Sequence, residues 1–187
     1  IHILTAYLAF PAAADTFSCA LGIPVSEQDT PALYMLLRRT LTDIGLSPYS
    51  AKNAYQRERP FMISGTPVCK PEDEEALRND GSYPSGHTAI GWGWALILTE
   101  LVPDRSEEIL ARGRAFGESR NVCNAHWYSD VVAGRLVGAA AVARLHASEE
   151  FEKAMDAARA DIERMRLEGK LPQRDCAAEA EVLSSGL

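Results

Sequence analysis

We predict an all-α fold, a single-domain helical bundle, from three observations on this chain of 187 residues. Apolar residues recur at helical spacing, proline and glycine stand at expected helix boundaries, and no stretch shows strand alternation of useful length. A chain of this length suits one domain, and a helical domain of this size can bury a sizeable core. We place the domain at residues 1–168 and an irregular C-terminal tail at residues 169–187.

Boundary signals in the sequence justify each predicted helix. Thr30 and Pro31 supply an N-cap and a proline at the first helical position. Pro60 disfavours continuation of the second helix and Pro103 ends the third. Ser148 is a candidate cap for the last, amphipathic helix. The predicted helices cover, in order, residues 31–45, 50–59, 85–101, 106–122, 126–146 and 148–167.

The charge of the chain restricts its partners. There are 19 Lys and Arg residues against 26 Asp and Glu, a formal net charge of −7. A broad nucleic-acid-binding surface is therefore not expected, and an anionic substrate must be bound by a local cluster of cations. The longest apolar stretch, Val131 to Leu145, contains two arginines and falls short of the roughly 20 residues of a membrane span. Ile1 to Ala14 is apolar but lacks a basic start, so we do not predict a signal peptide there.

Four cysteines form no CxxC pair, and their spacing fits no zinc module. Buried free thiols and one or two disulfides both remain open from the residues alone. Cys69 lies in a long loop predicted for residues 64–84, and Cys123 lies three residues before His126. If that loop folds over the site, these two cysteines pair. Cys19 and Cys176 are weaker candidates for a second disulfide.

The first of three clusters with candidate chemistry is KNAYQRERP, from Lys52 to Pro60. Lys52 and Arg59 are seven residues apart, which on one helix places both cations on the same face, about 10 Å apart along the axis. Two such cations can bind one anion from two sides. The alternative is a solvated basic edge paired with Glu58.

The second cluster, GSYPSGHT, leads a glycine-containing turn into an apolar helix. The backbone N–H groups of Ser85, Gly86 and His87 are expected to be unpaired at that helix start and to form an anion site. Gly86 lets a ligand approach the backbone, and His87 is placed to give or take a proton. The alternative is an ordinary capped helix with a solvent-facing histidine.

The third cluster, SRNVCNAHWYSD, contains His126 and Asp130 at positions i and i+4. A carboxylate at that spacing can orient one ring nitrogen and leave the other as a nucleophile. The alternative is a structural His–Asp pair near a helix start. Together the clusters supply cations, an anion nest, two histidines and an orienting carboxylate, which are the parts that phosphoryl transfer needs. No metal cluster is recognisable, so we predict no metal site and no cofactor.

These segments resemble the tripartite signature of the type 2 phosphatidic acid phosphatase superfamily, KxxxxxxRP, PSGH and SRxxxxxHxxxD. The sequences GSYPSGHTAIGW and HWYSDV further resemble those of the class A bacterial non-specific acid phosphatases. This resemblance extends over about residues 15–155. The matching positions are Lys52, Arg59 and Pro60, then Pro84 to His87, then Ser119, Arg120, His126 and Asp130.

The resemblance implies a fold of the PAP2 and vanadium haloperoxidase type and a role for each matching residue. His126 would attack phosphorus, Asp130 would orient it, and His87 would protonate the leaving alcohol and then activate water. The groups that would hold the phosphate oxygens are Lys52, Arg59, Ser85, Gly86 and Arg120.

The expected function is a metal-independent acid phosphatase that hydrolyses phosphate monoesters through a phosphohistidine on His126 and also transfers phosphate to alcohols or nucleosides. The alternatives are a vanadate-dependent haloperoxidase-like enzyme and a non-catalytic phosphate-binding protein. Expected ligands are phosphate monoesters, inorganic phosphate and vanadate as an inhibitor, with no nucleic acid and no membrane span. A periplasmic or secreted location is expected, and the resemblance suggests a homo-oligomer built from dimers.

Overall fold

A computed structural model describes residue 10 and residues 12–184, and this part of the chain contains α-helices and no strand, which confirms the predicted all-α fold. Most of the apolar segment Ile1 to Ala14 lies outside the described residues. Among the described residues, two short 3-10 turns, Pro71–Asp73 and Pro103–Arg105, join the helices. The helices are α1 Ala12–Asp15, α2 Ser18–Leu21, α3 Pro31–Leu46, α4 Tyr49–Tyr55, α5 Pro60–Ser64, α6 Glu74–Arg78, α7 Gly86–Leu101, α8 Ser106–Val122, α9 Tyr128–Leu145, α10 Glu149–Glu168 and α11 Cys176–Ser184.

Helix α7 is the centre of the bundle because it is apolar on nearly every face. It packs against α8, α9 and α3, while α10 covers the other side of α3. Trp94 is fully buried on α7, and its indole N–H donates to the Thr40 hydroxyl of α3 at 3.2 Å. Burial of a large apolar side chain contributes about 1.5–3 kcal/mol, so this packing fixes the helix whose N-terminal end carries the PSGH segment. No described helix is both long and apolar enough to cross a bilayer.

Glycines allow α9 to approach α7 closely, and this predicts a stability effect. A Cβ at Gly138 would overlap the carbonyl oxygen of Ala89 on α7. We expect Gly138→Ala to destabilise the protein by about 1–3 kcal/mol, because backbone cannot move aside as a side chain can. Gly45→Ala is the control, since its Cβ would meet only the end of the Ile90 side chain at 3.2 Å. Thermal unfolding measures both, and equal Tm values for the two variants would contradict the prediction.

The start of α3 is capped by a residue far along the chain. Thr30 occupies the predicted N-cap position, but its hydroxyl bonds the carbonyl oxygens of Pro24 and Ser26. The carboxylate of Asp161 on α10 instead accepts from the Ala32 N–H at 2.7 Å. Asp161 also accepts from the next N–H of α3 at 3.3 Å. A carboxylate at a helix N-terminus is favourable, so α10 holds α3 by charge as well as by apolar contact.

The predicted helix over residues 50–59 is wrong in its second half. Helix α4 ends at Tyr55, and Gln56 follows in the left-handed region with a φ of 41°. Residues 57–59 belong to no helix, Arg59 has extended dihedral angles, and Pro60 begins α5 as its first residue. Proline is well suited to that first position, so it starts a new helix here rather than only ending an old one.

The region after Gly169, predicted to be irregular, contains helix α11. A disulfide between Cys19 and Cys176 holds the start of this helix against α2. Glu179 of α11 is 2% exposed and its carboxylate lies 3.4 Å from Nε of the buried Arg112 on α8. The tail is therefore joined to the bundle by a covalent link and by a buried ion pair, whose separation would leave two charges in the interior.

Candidate active site

Backbone hydrogen bonds bring the three motif segments together at the N-terminal ends of α7 and α9. The Ser85 N–H donates to the carbonyl of Asp130 at 3.0 Å, which joins the second segment to the third. The Ser82 N–H donates to the carbonyl of Arg57 at 2.8 Å, which joins the second segment to the first. The Phe61 N–H donates to the Asn124 carbonyl at 3.2 Å, which closes the ring between the first and third segments.

The long loop before α7 is covalently held beside the site. Cys69 and Cys123 form a disulfide, as predicted, and all four cysteines of the chain are paired. Asn124, next in the chain, has a φ of 56° and its side-chain amide donates to the Thr66 carbonyl at 2.6 Å. Asparagine tolerates the left-handed region, so the turn after α8 both holds the loop and directs the chain toward His126.

Lys52 and Arg59 converge on one point, although they do not share a helix. Nζ of Lys52 and Nη2 of Arg59 each lie 2.9 Å from Oδ2 of Asp80. Both side chains are buried, at 3% and 1% exposed. Burial lowers the pKa of each cation, and the carboxylate of Asp80 opposes that effect. The predicted pair of cations is thus present, and the break at Gln56 is what turns the two toward each other.

His126 lies two residues before the start of α9, at the centre of these cations. Nη1 of Arg59 lies 3.0 Å from Nε2 of His126. A guanidinium only donates hydrogen bonds, so Nε2 carries a lone pair and the neutral ring holds its proton on Nδ1. Burial lowers the pKa of His126 to about 4. The interaction with Asp130 raises this pKa, whereas the positive charges of Arg59, Lys52 and Arg120 lower it. The ring is therefore neutral near pH 6, with Nε2 directed at the cationic pocket.

Asp130 reaches His126 through a serine that the motif reasoning did not select. Oδ2 of Asp130 lies 3.6 Å from Nδ1 of His126, which is too long for a hydrogen bond. The hydroxyl of Ser82, fully buried, lies 2.5 Å from that oxygen and 3.3 Å from Nδ1. Ser82 can thus donate to the carboxylate and accept from the ring. Its only sequence signal is its place two residues before PSGH.

The carboxylate of Asp130 is held in place on every side. It is fully buried and accepts from the Trp127 N–H at 2.9 Å and from Arg57 Nη1 at 2.7 Å. Burial alone would raise the pKa of Asp130, but the neighbouring His126 ring, the Ser82 hydroxyl and the Trp127 N–H lower it below the ordinary value. Asp130 is therefore an anion fixed behind the imidazole, as its predicted orienting role requires.

Ser82 yields a direct prediction about the site. We expect Ser82→Ala to lower kcat by roughly 10- to 100-fold with little change in KM, because a hydrogen bond to a charged group contributes about 1.5–3 kcal/mol. Ser82→Thr keeps the hydroxyl and should retain most of the activity. Steady-state kinetics of both variants checks this. A Ser82→Ala enzyme with wild-type kcat would show that the Ser82 hydroxyl between His126 and Asp130 does not contribute to turnover.

The predicted anion site at the start of α7 is only partly as expected. The Ser85 N–H is not free, since it donates to Asp130, and the Ser85 hydroxyl caps the helix by accepting from the Thr88 N–H at 3.3 Å. The N–H groups of Gly86 and His87 belong to the first turn of α7, where the helix itself offers no acceptor. A Cβ at Gly86 would meet nothing within 4 Å, so the approach to this backbone is open.

Arg120 and His87 complete the cluster. Nε of Arg120 is buried and finds no hydrogen-bond acceptor among the described residues. Burial lowers the pKa of Arg120 to about 10, and the charge of Arg59 adds to the effect. Burial also holds the pKa of His87 well below its ordinary value. The charges of Arg120, His126, Arg59 and Lys52 lower this pKa further. A buried cationic donor without an acceptor is what an anion-binding site provides.

The structure thus brings together every residue that the sequence predicted for the site. Those residues are Lys52, Arg59, Ser85, Gly86, His87, Arg120, His126 and Asp130. Sequence reasoning missed Asp80, Ser82 and Arg57, which contact the predicted residues directly. Within the described ranges, no group of three or more His, Cys, Asp or Glu side chains is arranged to hold a metal ion.

Comparison with known proteins places these features in a family. The family model of the PAP2 superfamily matches residues 31–152. The chain is 44% identical over 160 residues to a non-specific acid phosphatase of Providencia stuartii, covering 85% of this chain and 64% of that protein. It is 44% identical over 160 residues to an acid phosphatase of Zymomonas mobilis, covering 83% of this chain and 59% of that protein.

A third relative is a non-specific acid phosphatase of Salmonella typhimurium, 46% identical over 147 residues that make up 78% of this chain and 59% of the relative. The chain therefore spans about three fifths of the length of the relatives it matches. The family match runs from the first residue of α3 into α10 and includes all three motif segments. This chain belongs to the PAP2 superfamily.

Proposed function

We propose that this protein is a metal-independent acid phosphatase that hydrolyses phosphate monoesters through a phosphohistidine intermediate on His126. The observation that carries the proposal is the arrangement of His126, whose Nε2 faces Arg59 at 3.0 Å while Ser82 joins its Nδ1 side to Asp130. The names of the similar acid phosphatases support the reaction class.

In the first step, the Nε2 lone pair of His126 attacks phosphorus and the bond from phosphorus to the ester oxygen breaks. The leaving alkoxide takes a proton from His87 and departs as the alcohol. The Nδ1 proton stays on the ring, where Ser82 and Asp130 stabilise the positive charge that develops. Lys52, Arg59 and Arg120 with the Gly86 N–H balance the charge on the phosphoryl oxygens, which is the main source of rate in this chemistry.

In the second step, water attacks the phosphohistidine, gives a proton to His87 and displaces the neutral Nε2. The products are inorganic phosphate and the regenerated imidazole. An alcohol in place of water would give a new ester, and we extend the proposal to such phosphotransfer. His87 must be charged in the first step, and a phosphate dianion between the cations favours that form by offsetting their effect on the pKa of His87.

We predict that activity persists in excess EDTA and that vanadate inhibits. Three side-chain cations stand where a metal ion would otherwise neutralise the phosphate, and vanadate can adopt the five-coordinate geometry of the transition state. Phosphate release from p-nitrophenyl phosphate, measured with and without chelator, checks this. Full loss with EDTA and recovery with a divalent ion would contradict the proposed mechanism.

The same assay separates the alternative functions. A non-catalytic phosphate-binding protein would bind phosphate without turnover, whereas Ser82, Asp130 and His87 serve only catalysis in our proposal. A haloperoxidase-like enzyme would require vanadate for activity rather than be inhibited by it.

We also propose a periplasmic or secreted location, supported by two disulfides, and a homo-oligomer built from dimers.

A further inference from the structure

We infer that Asp80 is a resident anion that competes with phosphate for Lys52 and Arg59, so that phosphate binds and leaves by exchange with this carboxylate. The inference rests on the proposed function, because it assigns those two cations to phosphate. One oxygen of Asp80 accepts from both buried cations at 2.9 Å each. That oxygen occupies the kind of position, between two cationic donors, that a phosphoryl oxygen requires.

The same guanidinium links this position to the nucleophile. Arg59 donates through Nη2 to Asp80 and through Nη1 to Nε2 of His126. When Nε2 attacks a phosphorus atom, the phosphoryl oxygens must therefore lie close to the Lys52 and Arg59 nitrogens that donate to Asp80. Two anions sharing these cations repel each other, so a bound phosphate weakens the hold of Lys52 and Arg59 on the carboxylate.

The backbone around Asp80 is fixed without help from its side chain. The Arg59 Nε–H donates to the Asp80 carbonyl at 3.0 Å, and Lys52 donates to the carbonyl of Gly81. The Ser82 N–H bonds Arg57 at 2.8 Å. The carboxylate can therefore leave the cations while the loop stays in place. Its side chain is 33% exposed, which gives the displaced carboxylate access to water.

This exchange has two consequences for the reaction. Buried cations are costly without a counter-ion, and Asp80 supplies one whenever phosphate has left. The carboxylate therefore lowers the affinity for the product as well as for the substrate. Removing its charge should tighten the binding of inorganic phosphate and strengthen product inhibition.

The test measures binding of inorganic phosphate by isothermal titration calorimetry, without turnover. Asp80→Asn keeps the shape and the backbone contacts but removes the charge, and we expect its Kd to fall at least about 10-fold, together with KM and the Ki of phosphate. Asp104→Asn is the matched control, since Asp104 pairs with Arg166 at the surface and should leave the Kd unchanged. An unchanged or weaker affinity in Asp80→Asn would overturn the inference.

Failure of the proposed function gives a different result, because a wild-type protein that binds no phosphate at all lacks the assigned site. If Asp80→Asn does not fold, a crystal structure of the wild-type protein with phosphate or vanadate decides the matter. We expect the carboxylate to have left its contact with Lys52 or Arg59. A carboxylate that still contacts both cations beside the bound anion would contradict the exchange.

Discussion

His126→Ala is expected to lose at least about 1000-fold in kcat while still binding inorganic phosphate. The variant removes the proposed nucleophile, the ring nitrogen toward which Nη1 of Arg59 donates. The cations and the start of α7 remain, so the anion site survives. The experiment measures kcat with p-nitrophenyl phosphate and the equilibrium binding of phosphate on the same preparation.

The control for this variant is His146→Ala. His146 also pairs with carboxylates, Glu152 at 2.8 Å and Glu100 at 3.2 Å, but it lies at the surface after α9. We expect its removal to leave kcat unchanged, which excludes a general effect of losing a histidine. A His126→Ala enzyme that retains a tenth of the wild-type kcat would show that His126 is not the nucleophile.

His87→Asn is expected to act selectively on poor leaving groups. Because a positioned general acid contributes roughly 10²- to 10⁴-fold, kcat/KM for an alkyl phosphate should fall by that factor. The p-nitrophenolate ion leaves without a proton, so p-nitrophenyl phosphate should be affected far less. Equal losses on both esters would show that His87 does not protonate the leaving group.

The pH profile provides a second measurement on the same variant. In the proposed mechanism His126 must be neutral to attack, and its pKa of about 4 means that this form is present above that pH and lost as the pH falls through it. His87 must be charged, and that form is lost as the pH rises. Because bound phosphate offsets the cations that lower the pKa of His87, we expect a bell-shaped kcat with its maximum below pH 7, roughly 5 to 6.5, and a flattened basic limb in His87→Asn. A wild-type profile that still rises at pH 8 would contradict these roles.

The sequence predicted the helices with the clearest boundary signals and the residues that the structure brings together at the candidate site. Helices α7 and α10 lie within a residue or two of their predicted bounds, because capping residues and proline act locally. The Cys69–Cys123 disulfide was also predicted, since Cys69 lies in the long loop and Cys123 lies three residues before His126.

The errors arose where distant residues decide local structure. Asp161 caps α3 from α10, and no local pattern signals a partner 129 residues away. The tail is helical because Cys176 and Glu179 find partners on α2 and α8. Asp80 and Ser82 were missed for a different reason: they lie beside PSGH in sequence, but their importance depends on which side chains converge on them in the fold.

Trapping the covalent intermediate tests the central claim most directly. The enzyme is mixed with a phosphate monoester, stopped in alkali during turnover because phosphohistidine is unstable in acid, and digested for mass spectrometry. We expect a phosphoryl group on Nε2 of His126 in the wild-type protein and none in His126→Ala. A wild-type enzyme that turns over substrate with no phosphoryl group on His126 under these conditions would contradict the account.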